Sequence, residues 1–418
     1  MSNPDTPALK RSFGMCEAVT ITAGSVIGVG LFTVGSNIVG TMGPSVIWAT
    51  LVALLISLYP ALLYAEMGAT LPYAGGTYQF ASLGIGRAAG VLAGWNFIIS
   101  LVAVTGGEAL AFSYYFKTLF LAFGVTLPFS DVAVAVVVTL GFIAANVMGV
   151  KIAGRLQNGF MFFFWGVAVI WFLTMIPNVN LPSFVQAPSF LPKDGQMSFA
   201  ASVCMIWWCF AGFEACVAMG EEIKYPRINI PRYLFTMARD GVMPRIFAKT
   251  NSRQTPHVAI VTLGVLTIAL IATDSLVYIA SLSLFADLLY YVIGILAAWA
   301  LRRRHPELER SYKAPFVAVG APVSAVIYLY MMTQLDTNAF ITGVIWCVLG
   351  LAIYAWCAKT YGAKDNLTPS LVQTGAMDLP QDPAEIAAMD REYRRWQVIV
   401  GAACVLAVLL YVLPYVLV

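Results

Sequence analysis

Residues 24–32 read "GSVIGVGLF" in the middle of a long apolar run. Gly24, Gly28 and Gly30 fall within seven positions. Each interior glycine costs a helix about 1 kcal/mol relative to alanine. Two readings explain why a chain would accept that cost. Gly24 and Gly28 form a small-xxx-small pair, which lets two helices approach closely. Alternatively the helix is interrupted here. Lipid offers no partner to a freed backbone group, so an interruption at membrane depth is tolerated only where it lines a cavity inside the protein. The half-helix ends then present N–H groups that favour an anion and carbonyls that favour a cation.

The surroundings define the setting. The chain has 418 residues, of which 60% are hydrophobic and 11% charged, with a mean hydropathy of +0.80. A soluble domain carries about 25% charged residues. Long uncharged runs and the absence of short alternating segments point to membrane-spanning helices, not a barrel. Apolar stretches place spans near 14–41, 44–66, 88–121, 131–149, 157–177, 197–221, 257–273, 276–301, 315–333, 338–359 and 396–417, or about eleven at roughly 20 residues per span. The proline-containing stretch 178–196 is expected outside the hydrocarbon, and the polar stretch 361–395 in the cytoplasm.

Basic residues support this count. With the N-terminus inside, every lysine and arginine except Lys117 and Lys193 falls on the cytoplasmic side. Such retention is what the positive-inside rule requires. One miscounted span would invert every later loop. The polar start "MSNPDTPALKRSFG" lacks a leader pattern, so an uncleaved cytoplasmic N-terminus is expected. No CxxC pair occurs among the seven cysteines, so no disulfide or metal site is expected. No phosphate-binding loop or nucleophile–base pair is recognisable, so neither enzyme activity, a cofactor nor ATP-driven pumping is expected. Basic loops are accounted for by topology and lipid headgroups, with no need for nucleic acid.

The sixth span carries a second interruption signal. "CMIWWCFAGFEACVAMGEE" (204–222) has Ala211 and Gly212 at mid-depth beside Trp208, Phe210, Phe213 and Glu214. Spans one and six are the first members of two five-helix halves. Interrupted helices at matching places in inverted repeats are the best sequence pointer to a transporter site at the midplane. Three carboxylates lie within spans: Glu108, Glu214 and Asp287. A charge there costs about 2.5 kcal/mol or more, so each is expected to face the interior. Glu214, beside the break, is the first choice for gating or proton coupling, followed by Glu108 and Asp287. Glu66, at a span end, reads as a structural contact.

Together these segments resemble the amino acid–polyamine–organocation (APC) transporters. "GSVIGVGLF" is similar to that family's first-helix motif. "YAEMGATLPYAGGTYQFA" (64–81), "FAGFEACVAMGEEIKYPRINIPR" (210–232) and "MARDGVMP" (237–244) follow in the family's order. The resemblance covers most of residues 12–360. It implies a LeuT-like all-α inverted-repeat bundle with broken helices one and six, over residues 14–360. Residues 1–13 and 361–395 are then cytoplasmic segments, and 396–417 is an additional span. It implies alternating-access transport of amino acids or related amines across the cell membrane, with protons as a possible second cargo. The substrate carboxylate would lie on the backbone N–H groups of Val29 and Gly30, with Ser25 and Gly28 shaping the turn. The ammonium would meet carbonyls near Val26, Trp208 and Ala211. Trp208 and Phe210 would contact or gate the substrate; ordinary packing is the alternative for both.

Two departures stand out. Some proton-coupled members place a lysine opposite the first break, and the matching position here is Phe164. In addition, "IPR" (230–232) runs straight into "YLFTMARDG" (233–241), so the family's seventh helix and most of its eighth are absent. Both flanks are cytoplasmic, which preserves the topology. The gap leaves a second expectation open, a transport-inactive truncated homologue acting as a sensor or partner.

Overall fold

The computed structural model describes residues 38–40, 42–43, 46–71, 76–148, 153–178, 198–214, 243–249, 257–310 and 312–361, with isolated positions at 24, 26 and 27 and between 387 and 416. No strand occurs among the described residues. The helices are α1 (Val46–Thr70), α2 (Gly76–Gly84), α3 (Arg87–Ala122), α4 (Asp131–Met148), α5 (Ala153–Met175), α6 (Phe199–Trp207), α7 (His257–Ile271), α8 (Leu276–Arg304), α9 (Val317–Met332) and α10 (Thr337–Tyr361). Their bounds follow the apolar runs closely. The exceptions are α6, which stops well short of residue 221, and the short α2, which hydropathy did not mark.

Burial separates the centre from the rim. The most apolar window of α8 is 89% buried and that of α3 is 67% buried, against 28% for α1 and 17% for α10. α8 is the mast of the molecule: α1, α2, α3, α9 and α10 all pack on it. At 29 residues it is about 43 Å long, enough to cross a hydrocarbon layer of about 30 Å. Ser275 caps it by accepting the Tyr278 N–H at 3.3 Å. By contrast, the window Met161–Asn178 is 6% buried. Phe163, Ile170 and Trp171 point outward there, as side chains facing lipid do.

Close approach to α8 depends on a small residue. A Cβ on Gly294 would lie 2.1 Å from the Tyr64 hydroxyl oxygen, so the Tyr64 side chain of α1 rests directly on the α8 backbone at that level. α3 and α10 are stapled reciprocally. The indoles of Trp95 and Trp346 stack at 4.3 Å, and each donates its N–H to the other's backbone carbonyl, at 2.7 Å and 3.0 Å.

The arginine-rich end of α8 is tied just as firmly. Glu66, 4% exposed, accepts Arg302 bidentately at 2.7 Å and 2.5 Å, and also the Ala314 N–H at 2.8 Å. Arg310 lies 3.4 Å from the same carboxylate. Arg304 donates to the Gly84 carbonyl where α2 ends. The structural role expected of Glu66 is therefore what the contacts show: it joins α1, α8 and the lead into α9. Removing one partner of a buried ion pair costs about 3–5 kcal/mol. Glu66→Ala is accordingly expected to lower the thermal unfolding temperature in detergent sharply, whereas Lys359→Ala, at an exposed helix end, leaves it unchanged.

Candidate functional site

The sixth span is interrupted where its small residues fall. Ser198 caps α6, accepting the Ala201 N–H at 3.1 Å. After Trp207 the helix tightens into a single 3-10 turn, Trp208–Phe210. Ala211 is then extended, with φ −67° and ψ 152°, and Gly212 has φ +114°. That dihedral is closed to L side chains on steric grounds and open to glycine. The helical ladder is lost, and the Gly212 N–H has no carbonyl one turn back. Two side-chain oxygens take it instead: Glu214 Oε2 at 3.1 Å and Tyr291 Oη on α8 at 3.0 Å. Tyr291 in turn donates its hydroxyl hydrogen to Glu214 Oε2.

Aromatic rings wall this turn. Tyr291 makes edge contacts with Trp207 and Tyr64, both at 5.4 Å, and a tilted contact with Phe213 at 4.8 Å. The tandem tryptophans differ in their surroundings. Trp207 is fully buried and donates to Tyr328 Oη at 3.2 Å, a packing position. Trp208 is half-buried and donates to Ser283 Oγ at 3.2 Å.

Ser283 leads to a second carboxylate. Asp287 is 6% exposed and accepts Ser283 Oγ at 3.3 Å and Ser100 Oγ, from α3, at 2.5 Å. Ser283, Asp287 and Tyr291 recur every four residues on one face of α8. That spacing was a readable signal, and it was missed because serine and tyrosine are unremarkable in a span. Among the described residues no lysine, arginine or histidine forms an ion pair with Asp287 or Glu214. Among the described residues, two acidic groups thus sit in the protein interior with hydroxyl and backbone N–H donors. An unpaired charge at such depth costs about 2.5–3.5 kcal/mol.

The remaining sequence candidates separate. Glu108 is half-buried on α3, eight residues beyond Ser100, or about 12 Å along the axis. It is not brought to the Asp287–Glu214 cluster. Phe210 and Ala211 are half-buried at the turn. Of the first break, Gly24 and Val26 are helical and Ile27 lies at a bend. Ser25, Gly28, Val29 and Gly30 lie outside the described residues.

A multi-pass α-helical bundle with one span opened at mid-depth beside buried polar groups defines a membrane transporter. The sequence relationships make that particular. The sequence profile of the amino acid permease family matches residues 13–237 and 228–356, and the chain belongs to that family. It is 22% identical over 433 aligned positions to the methylthioribose transporter of Bacillus subtilis (strain 168), covering 83% of this chain and 93% of that protein. The branched-chain amino acid permease BcaP of the same organism is also 22% identical, over 435 positions and the same shares of each chain. The L-methionine/branched-chain amino acid exporter YjeH of Escherichia coli (strain K12) is 26% identical over 235 positions, 54% of this chain and 52% of that protein.

Backbone strain localises the site's sensitivity. Forcing a side chain onto Gly212 costs about 1–3 kcal/mol. Gly212→Val is expected to reach the membrane but to abolish transport. Gly401→Val, where no atom stands within 4 Å of an added Cβ, is expected to be silent in the same uptake assay.

Proposed function

We propose that this chain is a secondary active transporter of an amino acid or related amine, working by alternating access in the cell membrane with its N-terminus in the cytoplasm. The transporter unit is residues 14–360, followed by a cytoplasmic segment, 361–395, and a further span, 396–417. The observation that carries the reading is the opened turn at Ala211–Gly212 against α8. It leaves main-chain groups of Trp208–Gly212 at mid-depth, where a zwitterion's ammonium meets carbonyls. In this reading the first break supplies the complement: the N–H groups of Val29 and Gly30 hold the carboxylate, Ser25 and Gly28 shape the turn, and Val26 adds a carbonyl. Trp208 and Phe210 flank the bound molecule. Glu214, Glu108 and Asp287 are the groups available for gating or proton coupling, and Asp287 and Glu214 are the two that adjoin the break. The relatives named above fit an amino acid or a small polar organic solute as cargo.

A specific observation favours a second reading, a transport-inactive homologue acting as a sensor or partner. An alignment of 433 positions that occupies 83% of 418 residues leaves the relative with residues that have no counterpart here. Their number exceeds two spans of about 20 residues each. The family profile also matches in two pieces that meet at 228–237. Both facts support the loss of a hairpin between Arg232 and Tyr233, which would uncover part of the substrate pathway.

Flux decides between them. Purified chain in proteoliposomes, supplied with a mixture of radiolabelled amino acids, is expected to show saturable uptake that Gly28→Leu eliminates without reducing the amount of protein in the membrane. Uptake no greater than that of empty liposomes selects the sensor reading. Normal uptake by the Gly28→Leu chain removes the first break from the mechanism.

A further inference from the structure

We infer that Asp287 is the proton-binding residue of this transporter and that Glu214 is a fixed anion of the site. This inference rests on the transport reading and assigns its coupling chemistry to one side chain. The discriminating feature is the kind of donor that surrounds each carboxylate. Glu214 Oε2 accepts the Gly212 N–H, and a backbone N–H can only donate. A proton placed on that oxygen would confront the amide hydrogen and leave the Gly212 N–H unsatisfied in the interior. Tyr291 also spends its hydroxyl hydrogen on the same oxygen, while its own oxygen is occupied by Gly212. Both contacts on Oε2 therefore exclude a proton from that oxygen, and a proton on Oε1 would find no acceptor among the described residues.

Asp287 is held differently. Both of its partners are serine hydroxyls, Ser100 on Oδ1 and Ser283 on Oδ2. A hydroxyl donates or accepts as its hydrogen rotates. With Asp287 ionised, both serines donate to it, as observed. With a proton on Oδ2, Ser283 accepts that hydrogen and turns its own towards the carbonyl of Ile279 one turn back, the ordinary alternative for a helical serine. Neither state leaves a buried polar atom without a partner. The exchange balances: a proton from water on one side joins Oδ2 to give the neutral acid, and the same O–H bond breaks to return the proton to water on the other side.

The other groups facing Asp287 make a standing charge difficult. Among the described residues, α3 contributes Ser100, and α8 itself contributes Ser283 and Tyr291. The α6 turn contributes Trp208 through Ser283 and, within electrostatic reach, the like charge of Glu214. Tyr64 of α1 and Tyr328 of α9 pack on Tyr291 as neutral phenols. α2 faces Tyr64 with the hydroxyl of Thr77, and α10 meets α8 through Phe340 and Thr342. No cation is among them.

The same serine links the proton to the substrate site. Ser283 Oγ receives the indole N–H of Trp208, the first residue of the 3-10 turn before the break. When Ser283 changes from donor to acceptor towards Asp287, the lone pair that meets Trp208 is redirected. Proton binding on α8 thus biases the turn that carries Ala211 and Gly212.

The test uses the full chain in proteoliposomes and a mixture of radiolabelled amino acids, read in two ways: uptake driven by an inward proton gradient, and exchange against preloaded substrate with no gradient. The native chain is expected to be stimulated several-fold by the gradient. Asp287→Asn is expected to retain measurable exchange and lose all gradient stimulation. Ser100→Ala, which removes one donor to the ionised form and is the gentler change, is expected to shift the pH midpoint of uptake to higher pH. Glu214→Gln is expected to depress exchange and gradient-driven uptake together. Gradient stimulation that survives in Asp287→Asn, or is lost selectively in Glu214→Gln, overturns the assignment, as does a native chain that exchanges substrate without responding to the gradient. If Asp287→Asn does not exchange at all, an unshifted pH profile in Ser100→Ala overturns it. A native chain that neither exchanges nor takes up substrate refutes the transport reading instead.

Discussion

A backbone N–H freed inside a membrane must find an acceptor within the protein, because lipid supplies none. At Gly212 that constraint is met by Glu214 and Tyr291. Much of the surrounding architecture follows from it. Tyr291 must be on a helix that is buried along its length, and α8 is that helix. Tyr291 must also be held in place, and Trp207, Tyr64, Phe213 and Tyr290 surround its ring. Tyr64 reaches this level because Gly294 leaves it room. Opening one helix has thus recruited residues from α1, α6 and α8 to satisfy a single amide.

The two ends of α8 are used differently. Its arginine-rich end is locked by Glu66, Ala314 and the last carbonyls of α2, through short and largely buried bonds. Its middle is held by hydroxyls, which have alternative partners. A rigid end and a permissive middle are what a mast needs if the region beside the break is to change state while the helix keeps its place. The exposed last turns of α5 stand at the other extreme.

What could be read from the sequence was set by whether the signal is local. Spans are long apolar runs, so the bounds of most described helices were legible to within a few residues. Gly212 was legible because only a small residue suits a break, and Ala211–Gly212 is such a pair at mid-depth. α2 escaped notice because nine moderately polar residues give no hydropathy signal. Which of Trp207 and Trp208 is the more buried could not be read, since adjacent residues differ by about 100° around a helix and the facing helices were unknown. The pairing of Ser100 with Asp287 spans 187 positions, and that of Glu66 with Arg302 spans 236. Neither leaves a trace in local sequence. Glu108 was grouped with the other carboxylates because it lies within a span, and the fold places it about 12 Å along α3 from Ser100.

The account stands on an opened main chain at Trp208–Glu214 that is available to a small molecule. Amide hydrogen exchange of the protein in lipid nanodiscs, with and without an amino acid mixture, measures that directly. The account predicts that this segment exchanges faster than the middle of α8 in the free protein and becomes protected when the mixture is added. Exchange as slow as in α8, and unchanged by the mixture, would contradict it.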